Sequence, residues 1–166
     1  MDKKEKILQA LLELDKTHLR ALARKTNVHP NTIKDTIKEL DVIKTELNEK
    51  LFISFKETKK AKFTKTHLLT LQLIPLLEHL DTLLFEPTVI LFGSCAKGEM
   101  TKQSDIDLCI ICDEPKEINL EPFETMLKRE IQILMYTKKE FRKISKELRN
   151  NILNGIVLQG FVEYEI

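Results

Sequence analysis

Residues 88–111 read Thr-Val-Ile-Leu-Phe-Gly-Ser-Cys-Ala-Lys-Gly-Glu-Met-Thr-Lys-Gln-Ser-Asp-Ile-Asp-Leu-Cys-Ile-Ile, and the fold turns on them. Val89 to Phe92 is a short apolar run bounded by turn signals, as in a buried strand. Gly93 follows, a residue that lets backbone approach a ligand closely. Ser94 then opens a short helix, whose exposed amides suit phosphate, and it adds a hydroxyl. Lys97 and Lys102 bring positive charge nearby in sequence. A polar loop leads to Asp105-Ile106-Asp107 at the head of a second apolar strand. Residues two apart on a strand face the same way, so these carboxylates can hold one or two divalent cations between them, whereas unpaired they would repel. Mg²⁺ bridging them to the phosphates of a nucleotide offsets that repulsion.

Working outward, Glu130-Ile131-Gln132-Ile133-Leu134-Met135-Tyr136 is a further strand, residues 138–153 read as helix, and Gly155-Ile-Val-Leu-Gln-Gly160 closes the chain's ordered pattern. Gly93-Ser94, ten intervening residues with Gly98-Glu99 among them, and Ser104-Asp105-Ile106-Asp107-Leu108 together resemble the minimal members of the DNA polymerase β-like nucleotidyltransferases. The ending from Gly155 to Gly160 is similar to the close of those proteins. The resemblance implies an α/β (α+β) fold with a mixed sheet flanked by helices, a nucleoside triphosphate such as ATP held at Gly93, Ser94, Lys97 and Ser104, and Mg²⁺ on Asp105 and Asp107. It also implies a third carboxylate on a later strand, completing the metal site or activating the attacking hydroxyl. Glu130 and Gln132 share a face and either can stand opposite the pair. With Glu130 the catalytic set is Asp105, Asp107 and Glu130; with Gln132 the site lacks its base. The acceptor the resemblance suggests is a partner protein's side chain.

Upstream, residues 3–14 place Ile7, Leu8, Leu11, Leu12 and Leu14 at helical spacing. A second helix is expected from Thr17 to Thr26-Asn27, where Asn tolerates the left-handed backbone of a tight turn, with Leu19, Leu22 and Ala23 inward and Val28 plugging the turn. A third opens at Pro30, a favoured first position, and is expected to reach Leu40. Residues 42–47 and 51–55 alternate as a hairpin around Asn48-Glu49. This order resembles the winged helix-turn-helix family, which implies DNA binding, with Asn31, Thr32 and Lys34 at base edges and Lys38, Arg24, Arg20 and Lys25 on phosphates. Asp35 and Glu39 on the same helix would repel phosphates. A palindromic target would make the protein a homodimer.

The basic run from Lys56 to Lys65 marks the boundary and reads as the solvated start of a helix, giving domains at 1–58 and 59–166, with 59–86 a leading helical segment bent at Pro75. Residues 1–60 hold 14 Lys/Arg against 10 Asp/Glu, and the rest 13 against 16, so the net charge of +1 hides a basic front half. The composition, 42% hydrophobic and 32% charged, excludes a disordered or fibrous chain. Three cysteines, an odd number, argue against a disulfide framework. Cys109 and Cys112 lie on a strand where their sulfurs point apart, so core packing is the reading rather than a metal pair. His18, His29, His67 and His79 are scattered and read as packing or surface. The charged start from Asp2 to Lys6 is no signal peptide, and Leu68–Phe85, broken by Pro75 and carrying Glu78, His79 and Asp81, is a poor membrane span, so a cytoplasmic protein is expected.

Overall fold

In the computed structural model, which describes residues 2–47 and 50–162, the chain divides into two compact units, Met1–Leu68 and Leu69–Ile166. The first unit begins with α1 (Lys3–Leu14), capped by the Asp2 carboxylate accepting from the Glu5 amide at 2.8 Å. Ile7, Ala10, Leu11 and Leu12 form its buried face. β1 (Thr17–His18) follows, where the sequence pattern predicts the start of a helix. Thr17 instead pairs with Ile53 across an antiparallel ladder and is buried, while His18 caps α2 (Leu19–Thr26) by accepting the Ala21 amide on Nδ1. Two residues are too few to leave a periodic signal, so long-range pairing decides their state.

Asn27 ends α2 with φ +53, and Val28 is buried beneath the turn, both as expected. α3 (Pro30–Thr36) is shorter than predicted. From Ile37 the amides of Lys38 and Glu39 turn back three residues, to Asp35 and Thr36, and this tighter winding ends the helix before Leu40. β2 (Val42–Leu47) and β3 (Lys50–Phe55) pair antiparallel, giving a sheet ordered β1-β3-β2; Asn48 and Glu49 of the expected hairpin turn lie outside the described residues. α4 (Lys59–Gln72) contributes to both units. Its basic start is not wholly solvated: Lys65 is buried, pairs with Glu57 at 3.4 Å and lies over the Phe55 ring.

In the second unit α5 (Ile74–Leu83) carries Pro75 in its first turn, with the helix interrupted at Leu73. β4 (Thr88–Phe92), α6 (Gly93–Ala96) and β5 (Ile106–Ile111) follow. Next come α7 (Glu121–Leu127), on which the sequence pattern gave no reading, β6 (Ile131–Tyr136), α8 (Lys138–Phe141), α9 (Lys146–Leu153) and β7 (Ile156–Gln159). The sheet order is β6-β5-β4-β7; β6 runs parallel to β5, while β4 is antiparallel to β5 and β7, so the sheet is mixed. Every residue of β4 is buried, which is why it reads as an unbroken apolar run rather than an alternating one. Ile90, Cys109 and Ile111 pack with Phe141 and Ile152 against α8 and α9. Each fully buried Ile or Leu of this kind contributes about 1.5–3 kcal/mol. All three cysteines are free and buried, as core packing requires, and among the described residues no helix is long and apolar enough to cross a membrane.

Candidate active site

β4 delivers Gly93 to the rim of the sheet beside the start of β5. There Gly93 has φ +69, and a Cβ on it would stand 2.3 Å from Asp107 Oδ2. Both facts demand glycine: the left-handed backbone disfavours a side chain, and the space is already taken by the carboxylate. Asp107 opposes Phe92 in the ladder. Burial, and then the charge of Asp105, push its carboxyl above the ordinary range.

Asp105 lies immediately before β5 and is held on several sides. Its Oδ2 accepts from Gln132 Nε2 at 2.8 Å, and its carbonyl accepts from Cys95 Sγ at 3.2 Å. The peptide that follows it donates through Ile106 N to the Glu130 carbonyl at 2.9 Å. Parallel register sets Gln132 opposite Asp107. Of the two residues left open by the sequence, it is Gln132 whose side chain meets Asp105; Glu130 precedes β6, is exposed, and gives this region its backbone carbonyl. Among the described residues no group of three or more His, Cys, Asp or Glu is arranged to hold a metal ion.

Ser94 sits in the first turn of α6, whose carbonyl receives the Glu99 amide. Lys97 follows that helix and is exposed. The Ser104 hydroxyl accepts the Thr101 amide at 2.9 Å, so it closes the polar loop before Asp105. Burial pushes the Cys95 thiol up to about 11 against a partial pull from Arg129. Arg129, which the sequence pattern did not single out, donates through Nη1 to the Thr101 and Ser104 carbonyls.

A family model described as Nucleotidyltransferase domain matches residues 76–158, half of the chain. The chain belongs to the nucleotidyltransferase domain family. The match runs from within α5 to within β7 and takes in β4, β5, β6, most of β7 and both aspartates. No curated protein and no solved structure matches the chain. Nucleotidyltransferase domains transfer nucleoside monophosphates, and the second unit carries that family's fold on its own residues.

The residues expected at DNA lie in the first unit, outside the family match. Asn31, Lys34, Lys38 and Arg24 are exposed, and Thr32 is half-buried with its carbonyl bonded to the Thr36 hydroxyl. Lys38 pairs with Asp35 at 2.7 Å, which lowers the Asp35 carboxyl below its ordinary range. Arg20, Arg24, Lys34 and Lys50 line a groove of about 950 Å³ between α2, the start of α3 and the hairpin.

Proposed function

We propose that this protein is a Mg²⁺-dependent nucleotidyltransferase that moves a nucleoside monophosphate from ATP or another nucleoside triphosphate to a hydroxyl, and that its first unit binds DNA. The observation that carries the catalytic reading is Asp107 lodged against Gly93, its carboxyl raised by burial and by the charge of Asp105. Two hard oxygen donors on one side of a strand fit one divalent cation. Such an ion supplies the positive charge that steadies the transferring phosphoryl group and the departing pyrophosphate. Gly93 and Ser94 hold the triphosphate, with Lys97 and Ser104 beside them. Asp105 and Asp107 fix where the charge sits, and positioning and charge neutralisation account for most of the rate. The resemblance to minimal nucleotidyltransferases points to a partner protein's side chain as acceptor.

Gln132 favours a second reading. An amide cannot take a proton from the acceptor, and here it donates to Asp105. On this reading the fold binds nucleotide without turnover, and the chain is a DNA-binding regulator that senses nucleotide or holds a partner. DNA binding is supported in both readings by the order helix, short strand, two helices and hairpin, and by the four cations lining one groove.

Isothermal titration of ATP with Mg²⁺ into the wild type and into the Asp105→Asn, Asp107→Asn double variant tests the nucleotide site. Metal-dependent binding that vanishes in the variant is the expected result. A folded wild type that binds none of the four triphosphates sinks the catalytic reading. Gln132→Glu separates the two readings: transfer of a labelled α-phosphate by the wild type supports the enzyme, whereas turnover that arises only in the Glu variant supports the regulator.

A further inference from the structure

We propose that Arg129 is the positioning residue for Asp105: its guanidinium ties the loop that delivers this carboxylate to the entry of β6, and so sets the spacing of the aspartate pair. The inference rests on the metal-binding reading of that pair. Its ground is a set of contacts converging on one residue. The loop from Thr101 to Ser104 is closed by the Ser104 hydroxyl, which accepts the Thr101 amide, and by the Ser104 amide, which donates to the Thr101 carbonyl at 3.2 Å. Those contacts shape the loop but anchor it to nothing else. Arg129 provides the anchor, since a single nitrogen, Nη1, donates to the carbonyl at each end of the loop, that of Ser104 at 2.8 Å.

The Ser104 carbonyl belongs to the peptide that enters Asp105, and the Ile106 amide, bonded to the Glu130 carbonyl, belongs to the peptide that leaves it. Residues 129 and 130 therefore grip both peptides flanking Asp105, and Gln132 holds its side chain. Arg129 is itself braced. Lys128 turns the chain with φ +55 after α7, the Arg129 amide donates to the Glu124 carbonyl at 3.3 Å, and the Glu124 carboxylate accepts the Ile131 amide at 2.9 Å. A charged donor forms stronger bonds to carbonyls than a neutral one. The planar guanidinium keeps a fixed direction that a lysine ammonium does not. Groups that orient a metal ligand without touching the metal change its affinity by about 10- to 100-fold when removed.

The test uses the full chain as wild type, Arg129→Gln and Arg129→Lys, with three readouts: Mn²⁺ affinity by electron paramagnetic resonance, amide hydrogen exchange, and the melting temperature. Arg129→Gln is expected to weaken Mn²⁺ about 10-fold or more and to speed exchange at residues 101–106, while exchange in β4 and the rest of β5 stays as in the wild type. Arg129→Lys, able to reach one carbonyl, is expected to fall between the two. Wild-type Mn²⁺ affinity in Arg129→Gln overturns the proposal, and so does faster exchange spread across the whole second unit, which is general destabilisation. A wild type that binds neither Mn²⁺ nor ATP with Mg²⁺ defeats the nucleotidyltransferase reading. The positioning role is then judged on exchange alone, and a loop unmoved by Arg129→Gln rejects it.

Discussion

A methyl group added at Gly93 would strike Asp107 before anything else, because the Cβ position lies 2.3 Å from Oδ2 on a backbone with φ +69. Gly93→Ala is expected to cost about 1–3 kcal/mol in urea unfolding and to weaken Mn²⁺ binding, since either the strand end or the carboxylate must move. The charge on Asp107 gives a second residue-scale prediction. Its carboxyl is raised, so it binds its proton more tightly folded than unfolded. The stability this contributes is present below the ordinary carboxylate range and is lost as pH rises through the raised value. In metal-free protein Asp107→Asn should therefore melt higher than wild type at neutral pH, with the difference shrinking on acidification; a lower melting temperature at neutral pH would count against repulsion. The turn at Gly93 and the place of the aspartates at the head of β5 follow from local pattern, an apolar run on either side of one short helix and loop. Gln132 and Glu130 were not separable, because parallel register is fixed by how β6 lies on β5 rather than by either strand's own pattern.

Elements with strong periodicity, α1 and β4 among them, follow from their apolar spacing. Those set by distant partners do not. β1 exists because Thr17 and His18 pair with Ile53 and Phe52, and α3 stops early because its last turn tightens. α7 is seven residues long, too short for its own periodicity to announce it. Gly155, at the corner from α9 to β7, is required by close approach: a Cβ would lie 2.3 Å from the Leu91 carbonyl and 2.8 Å from that of Ile152. Both are backbone atoms, so no side chain can swing aside. Gly155→Ala is expected to lose about 1–3 kcal/mol by the same urea measurement, and a stability equal to wild type would show that the corner can open freely.

At the scale of the molecule, the family match lies within the second unit, and DNA binding is what we propose for the first. If the first binds DNA, Arg24→Ala or Lys34→Ala should weaken binding evenly across sequences and reduce the salt slope by about 1, as read by fluorescence anisotropy over a salt series. Asp105→Asn should leave that binding unchanged without nucleotide. Binding insensitive to salt would argue for a protein-interaction module instead. The basic excess of residues 1–60 is the sequence feature behind that proposal. How far the basic run belongs to solvent was misread in sequence, because burial of Lys65 depends on Glu57 and the Phe55 ring together.

The amide that meets Asp105 has a consequence in heredity. Glutamine codons become glutamate codons by exchanging their first base, C for G, so a third acidic group at position 132 lies one point mutation from the present gene. The Gln132–Asp105 contact would then become a pair of like charges, relieved by a cation between them or by a shared proton. A lineage carrying this chain can thus gain or lose a third carboxylate beside Asp105 in a single step, and the metal supply of the cell would weigh on which form folds well enough to be kept.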